Sequence, residues 1–220
     1  MKPIVAIFAH PDDETFGPGG FLALQAQKRD VYLICVTDGA AGKNSSQTNE
    51  NNLSLLRKKE LTNASRILGI KKVFFFSYSD GTLSNNLYHE IAKNIKDTIR
   101  KIEPEILVTF EPHGISGHID HIAISLITTF VFEKIDSIKK LLYFCMSKAE
   151  SKEIGKNYFI HFPEGYSKNE IDLVVDVSSV WEKRINALLA HESQKHDSKK
   201  LIHYLSKKPK NEFFLVKERK

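Results

Sequence analysis

The feature that most restricts this chain is a regular alternation. Short runs of β-branched and aromatic residues are each followed by a longer stretch of helical periodicity. Residues 4–9, 31–37, 73–77, 106–110, 141–146 and 173–177 read as strands, and a last strand over 213–216 is expected to return at an edge. Residues 19–28, 53–68, 88–102, 121–134 and 180–192 read as helices. In the second of these, Leu53, Leu56, Leu61, Ala64 and Leu68 share a face, leaving Arg57, Lys58 and Glu60 for other faces. Near-continuous apolar strands such as ILVTF suit a sheet covered on both sides. The pattern predicts an α/β fold: one Rossmann-like, three-layer domain over residues 1–220 with a mostly parallel sheet. No linker divides the chain, and the polar stretch 42–52 reads as a flexible loop.

Composition narrows the class. A chain of 220 residues with 41% hydrophobic and 27% charged residues can bury a core of its own. The net charge of +5 comes partly from a lysine-rich tail, which reads as a solvated surface because no aromatic-rich nucleic-acid motif accompanies it. No nucleic-acid partner is expected. Cys35 and Cys145 each lie within an apolar strand, which excludes a disulfide framework and fits a reducing compartment. The amino terminus turns polar after one strand and reads as no signal peptide. The most apolar helix is well short of the roughly 20 residues that span a bilayer. The expectation is a cytoplasmic protein with no membrane partner; no heptad or apolar face points to a homo-oligomer.

In a doubly wound sheet of order 3-2-1-4-5, ligands bind outside the carboxyl ends of strands 1 and 4, where the order reverses. Two ionisable clusters fall on those two loops. His10-Pro11-Asp12-Asp13-Glu14 follows strand 1; Glu111-Pro112-His113-Gly114 and then His118-Ile119-Asp120-His121 follow strand 4. A catalytic zinc takes three ligands from His, Asp or Glu and keeps an open position. His10, Asp13 and His121 can supply that set. Asp12, beside a ligand but able to point away from the metal, suits a general base. His118 can face the same cleft and stabilise an oxyanion or protonate a leaving amine. If the turn there is irregular, Asp120 can hold the His118 imidazole. A His/His/carboxylate set accepts Zn²⁺ or Fe²⁺.

The Ala-His-Pro-Asp-Asp-Glu block at 9–14, followed by His-Ile-Asp-His at 118–121, resembles the PIG-L/LmbE-like family of zinc-dependent N-acetylglucosaminyl deacetylases. TDGAAG at 37–42, RKKE at 57–60, SDG at 79–81 and AHESQ at 190–194 extend the resemblance over nearly the whole chain. It implies a Rossmann-like fold with zinc at the carboxyl ends of the strands. It also implies His10, Asp13 and His121 as ligands, Asp12 as base, and His118 as stabiliser or acid positioned by Asp120. The resemblance implies substrate contacts for Arg57 and Asp80, and His191 in the terminal block can approach the site. Glu60 is expected to pair within its helix or with Arg57.

The expected reaction is removal of acetate from an N-acetylglucosamine conjugate, a small-molecule amino-sugar substrate. Two alternatives stay open: a metal amidase for another N-acyl group, and a non-catalytic sugar- or nucleotide-binding protein. Against nucleotide binding, Gly17-Pro18-Gly19-Gly20 does not form the GxGxxG pattern.

Overall fold

Ile4–Phe8 (IVAIF) contains no polar residue, and all five of its side chains are buried. A strand so composed is stable only at the centre of a sheet with both faces covered. The computed structural model describes residues 1–42 and 50–219 and places it there. The strands are β1 (Ile4–Phe8), β2 (Val31–Thr37), β3 (Lys72–Tyr78), β4 (Ile106–Phe110), β5 (Lys140–Cys145), β6 (Leu173–Asp176) and β7 (Asn211–Glu218). They form one sheet in the order β3-β2-β1-β4-β5-β7-β6. The first five run parallel, with Ile4 opposite both Val31 and Ile106. β7 is antiparallel to β5 and to β6.

The final strand therefore differs from its expected place. It is longer than residues 213–216 and lies inside the sheet, with β6 at the edge. Phe214 at its centre is completely buried, whereas β6 exposes alternate residues as a margin strand does.

The helices are α1 (Asp13–Phe16), α2 (Gly19–Ala26), α3 (Glu50–Leu68), α4 (Tyr88–Ile102), α5 (Gly114–Gly117), α6 (Ile119–Glu133), α7 (Lys148–Ile154), α8 (Trp181–Leu189) and α9 (Lys195–Leu205). Phe21 and Leu22 of α2, Leu61 and Leu68 of α3 and Ala187 of α8 cover one face of the sheet with Phe8, Leu33 and Phe214. Ile91, Ile95 and Ile99 of α4 join Ile124, Ile127 and Val131 of α6 on the other face, against Val5, Ile7 and Leu107. The 4-residue spacing in α4 aligns its isoleucines on one stripe, and the helix ends where Glu103 turns left-handed (φ 54°). Three layers result.

The flexible loop expected at 42–52 lies mostly over residues 43–49, outside the described residues; α3 already begins at Glu50. No helix among the described residues is long and apolar enough to cross a membrane.

Candidate active site

The sheet order reverses between β1 and β4, so their carboxyl ends open a crevice between diverging connections. The two groups of side chains disposed to hold a metal among the described residues, His10/His118/His121 and His10/Asp80/Asp120, both lie there. A cavity of about 660 Å³ lies elsewhere: it opens beside Glu105 and Lys140, next to the amino ends of β4 and β5.

After β1 the chain turns sharply. Asp12 adopts φ 147° and ψ −21°, a conformation that costs a non-glycine residue on the order of 1–3 kcal/mol. Asp12 Cα is thereby the pivot on which Asp13 swings back. The Asp13 carboxylate accepts the His10 backbone N–H at 2.8 Å and lies 3.2 Å from His121 Nε2 and 3.6 Å from His10 Nδ1. After β4, Glu111 accepts the backbone N–H groups of His113 and Ile115 at 2.7 and 2.8 Å, and the Tyr166 hydroxyl at 2.9 Å. This carboxylate holds α5 in its irregular turn, where Ile115 has φ 62°. His118 then caps α6, its Nδ1 accepting the Asp120 backbone N–H at 3.2 Å.

The hydrogen bonds also fix the tautomers. His121 Nδ1 lies 3.0 Å from the Gly114 carbonyl, so it donates there and leaves a lone pair on Nε2. His10 Nε2 faces Asp80 Oδ1 at 3.0 Å and Asp120 Oδ2 at 3.3 Å, so the proton belongs on that side. His10 Nδ1 and His121 Nε2 then meet at 2.9 Å with the Asp13 carboxylate beside them. Two nitrogen lone pairs and a carboxylate brought this close call for a proton or a metal ion among them. Two imidazoles and one carboxylate fit a catalytic divalent metal site.

The electrostatics agree with that need. Burial opposes charge on His10, but the carboxylates of Asp120, Asp13 and Asp80 outweigh it and hold its pKa well above the ordinary value. Burial also resists ionisation of Asp13, yet His121 and His10 pull its carboxyl well below the usual range. Asp12 behaves oppositely. Burial lifts its carboxyl, and the nearby Arg57 only partly reverses the effect. Adjacent carboxylates with pKa values pushed apart suit different tasks.

Four residues stand differently from their sequence expectation. Arg57 is 3% exposed and turned inward: it donates to the carbonyls of Gly39 and Pro11 and pairs with Asp12, each at 2.8 Å. Asp80 holds His10 with one oxygen and accepts the Ala41 N–H with the other. Asp120 does not grip the His118 ring with its carboxylate. That carboxylate accepts the N–H groups of Gly81 and Leu83 and faces His10, because capping geometry leaves only the Asp120 backbone for His118. His191 is completely buried, 2.8 Å from Glu14, and stands behind the loop of residues 10–14 instead of in the crevice.

Glu60 departs as well: it accepts the backbone N–H and hydroxyl of Ser193 at 2.7 and 2.6 Å. The positioning roles of Glu14 and Glu111 escape sequence reasoning, although a carboxylate directly after a central strand is a usable signal for Glu111.

The family described as PIG-L: GlcNAc-PI de-N-acetylase matches residues 5–132, more than half of the chain. A probable N-acetyl-alpha-D-glucosaminyl L-malate deacetylase 2 of Bacillus subtilis (strain 168) is 29% identical over 213 residues, covering 94% of this chain and 89% of the relative. A diacetylchitobiose deacetylase of Thermococcus kodakarensis is 29% identical over 204 residues, covering 88% and 70%. Among solved structures, the N,N'-diacetylchitobiose deacetylase from Pyrococcus horikoshii superposes with a TM-score of 0.72 at 23% identity, covering 99% of this chain and 84% of that one. This last likeness concerns the fold.

Proposed function

Because the chain belongs to the PIG-L family, we propose that it hydrolyses the acetamide of an N-acetylglucosamine conjugate, releasing acetate and a free amino sugar. The observation that carries this reading is the convergence of His10 Nδ1, His121 Nε2 and the Asp13 carboxylate, with Asp12 held next to them. The curated relatives quoted above deacetylate N-acetylglucosamine-type compounds by name, which supports the substrate class.

His10, Asp13 and His121 would hold Zn²⁺, or Fe²⁺ in its place. When bound, such an ion supplies Lewis acidity, lowering the pKa of water and polarising a carbonyl. Asp12 accepts the proton as water attacks the acetamide carbon; Arg57 fixes the direction of that carboxylate. His118, with Nδ1 committed to the start of α6, carries its proton on Nε2 and donates to the developing oxyanion. As the carbon–nitrogen bond breaks, the proton held by Asp12 passes to the departing amine, and acetate leaves. Asp80 and Asp120 keep His10 in its ligating tautomer. Buried, reduced Cys35 and Cys145 support a cytoplasmic setting.

The test is acetate release from N-acetylglucosamine conjugates by wild type and Asp12→Ala. The variant is expected to retain its metal and lose roughly 10²–10⁴ in rate. Undiminished turnover in Asp12→Ala would remove the base assignment, and no acetate release from any such conjugate would remove the proposed reaction.

A further inference from the structure

Two carboxylates set the ligating form of His10, but Nδ1 of His121 meets only a backbone oxygen among the described residues, the Gly114 carbonyl at 3.0 Å. Which nitrogen of an imidazole keeps its lone pair is decided by the hydrogen bond that the other makes. Whatever fixes the Gly114 carbonyl therefore fixes the ligating form of His121.

Gly114 has φ 69°, and a Cβ there would stand 2.8 Å from the Cβ of His121 and 2.9 Å from the Ile122 nitrogen. The turn is pressed onto the start of α6. Its next residue, Ile115, is β-branched yet sits at φ 62°, in the left-handed region. Such a conformation persists only where the surroundings enforce it. Glu111, itself buried, does the enforcing. Its Oε1 accepts the Ile115 N–H, its Oε2 accepts that of His113, and its carbonyl accepts that of Gly114 at 2.8 Å.

Oε2 of Glu111 takes one further bond from a firmly placed donor, the Tyr166 hydroxyl at 2.9 Å. His113 Nδ1 also comes within 3.3 Å, but that side chain is largely exposed and lies against the Tyr166 ring. Tyr166 is anchored by its main chain. Its N–H donates to the Met146 carbonyl at 2.8 Å, and its carbonyl accepts the Lys148 N–H at 2.9 Å, just past β5. Gly165 permits that approach, since a Cβ there would collide with the Met146 carbonyl oxygen. Glu111 is tied to the same strand by its N–H to the Phe144 carbonyl. Hydroxyl and carboxylate are thus set against one frame. Burial and the charge of Glu111 push the Tyr166 pKa up, so the phenol keeps the proton it donates.

The geometry points to Tyr166 as a positioning residue for His121: its hydroxyl orients the Glu111 carboxylate, which holds the Gly114 carbonyl on Nδ1 and so reserves Nε2 for the metal. This rests on the deacetylase reading, which makes His121 a metal ligand.

The experiment compares wild type with Tyr166→Phe, which keeps the ring beside His113 and deletes only the hydroxyl, and with Glu111→Gln. In metal-free protein carrying isotope-labelled histidine, proton–nitrogen correlation spectra at alkaline pH show which nitrogen of a neutral imidazole is protonated. The spectrum of His121→Gln identifies the His121 signals by their loss. Wild type is expected to hold the His121 proton on Nδ1, and both variants to show a mixture of tautomers. Competition against a chromogenic chelator should show Zn²⁺ affinity weakened about 10–100-fold in both. Excess Zn²⁺ should restore turnover in Tyr166→Phe; turnover that stays low at saturating Zn²⁺ would place the phenol at the reacting atoms and overturn the positioning role. A lowered thermal midpoint with tautomer and Zn²⁺ affinity unchanged would make Tyr166 merely structural and overturn it too. Tyr166→Phe decides alone where circular dichroism shows that Glu111→Gln does not fold. The spectra need no catalysis. A tautomer shifted by Tyr166→Phe in a protein that releases no acetate upholds the positioning role and overturns the deacetylase reading. Acetate release with an unshifted tautomer overturns the positioning role alone, and absence of both overturns both.

Discussion

Arg57 and Asp12 are joined by an ion pair of 2.8 Å in which the guanidinium is all but sealed from water. The same guanidinium donates to the carbonyls of Gly39 and Pro11, so one cation from α3 joins the connections after β1 and β2. It also holds the residue whose backbone is strained at φ 147°. The carboxylate assigned as base therefore has its direction fixed by a residue remote in sequence.

Replacing Arg57 by lysine keeps the charge but removes the planar fork that reaches three acceptors at once. Arg57→Lys is expected to lower kcat about 10²-fold through misplacement of Asp12, with KM nearly unchanged. Steady-state kinetics decide the matter. A raised KM with kcat preserved would mean that Arg57 grips substrate after all.

His10 Nε2 is flanked by two carboxylates, from Asp80 and Asp120, each anchored by backbone N–H groups. Such groups set the tautomer and basicity of a ligating imidazole. Asp80→Asn and Asp120→Asn are each expected to weaken metal affinity about 10–100-fold. Competition against a chromogenic chelator measures it. Unchanged affinity in Asp80→Asn would free Asp80 for the sugar contact that the sequence suggests.

How much was legible follows from how local each signal is. β2, β4 and α4 match their predicted bounds because burial on both faces, or a 4-residue apolar stripe, is written in consecutive residues. The meeting of His10, Asp13 and His121 was legible because strand ends at a reversal of sheet order bring two short motifs together. α9 was missed since KHDSKKLIHYL carries too few apolar residues to show a stripe. α7 was missed although its cap, Ser147 with Glu150, is a readable start signal. The inward turn of Arg57, the grip of Asp80 on His10 and the interior place of β7 depend on pairings far apart in the chain. No spacing rule records those.

Metal removal provides a further expectation. Dialysis against a chelator should abolish acetate release and lower the thermal midpoint, with both restored by Zn²⁺ or Fe²⁺. At a free ion concentration 100-fold above its dissociation constant, binding adds about 2.7 kcal/mol to stability. Differential scanning calorimetry with and without added ion reads the shift. A midpoint and a turnover both indifferent to chelator would dismiss the metal centre.

Cys35 and Cys145 are buried thiols; burial raises the pKa of both, that of Cys145 to about 12. The thiolate is the reactive form, so both should resist a thiol reagent in the folded protein near neutral pH. Titration is expected to detect neither in native buffer and both in denaturant. Rapid reaction of either under native conditions would show that β2 or β5 opens locally.

His191 and Glu14 face each other at 2.8 Å with almost no exposure, and among the described residues His191 Nδ1 and Glu14 Oε2 have no hydrogen-bond partner. Burial disfavours a charged imidazole, but Glu14 outweighs it and raises the His191 pKa. The folded protein then holds this proton more tightly than the unfolded chain, whose histidine titrates near about 6.5. The pair's contribution to stability is complete below that value and is lost as pH rises through the higher folded-state pKa. Urea midpoints from about pH 5.5 to about pH 8.5 should fall more steeply for wild type than for His191→Gln, which has no proton to lose. Parallel profiles would mean that the pair is not ionised. Because the imidazole stands behind the loop of residues 10–14, the same variant should change kcat through that loop and leave KM nearly constant; a selective rise in KM would return His191 to the crevice.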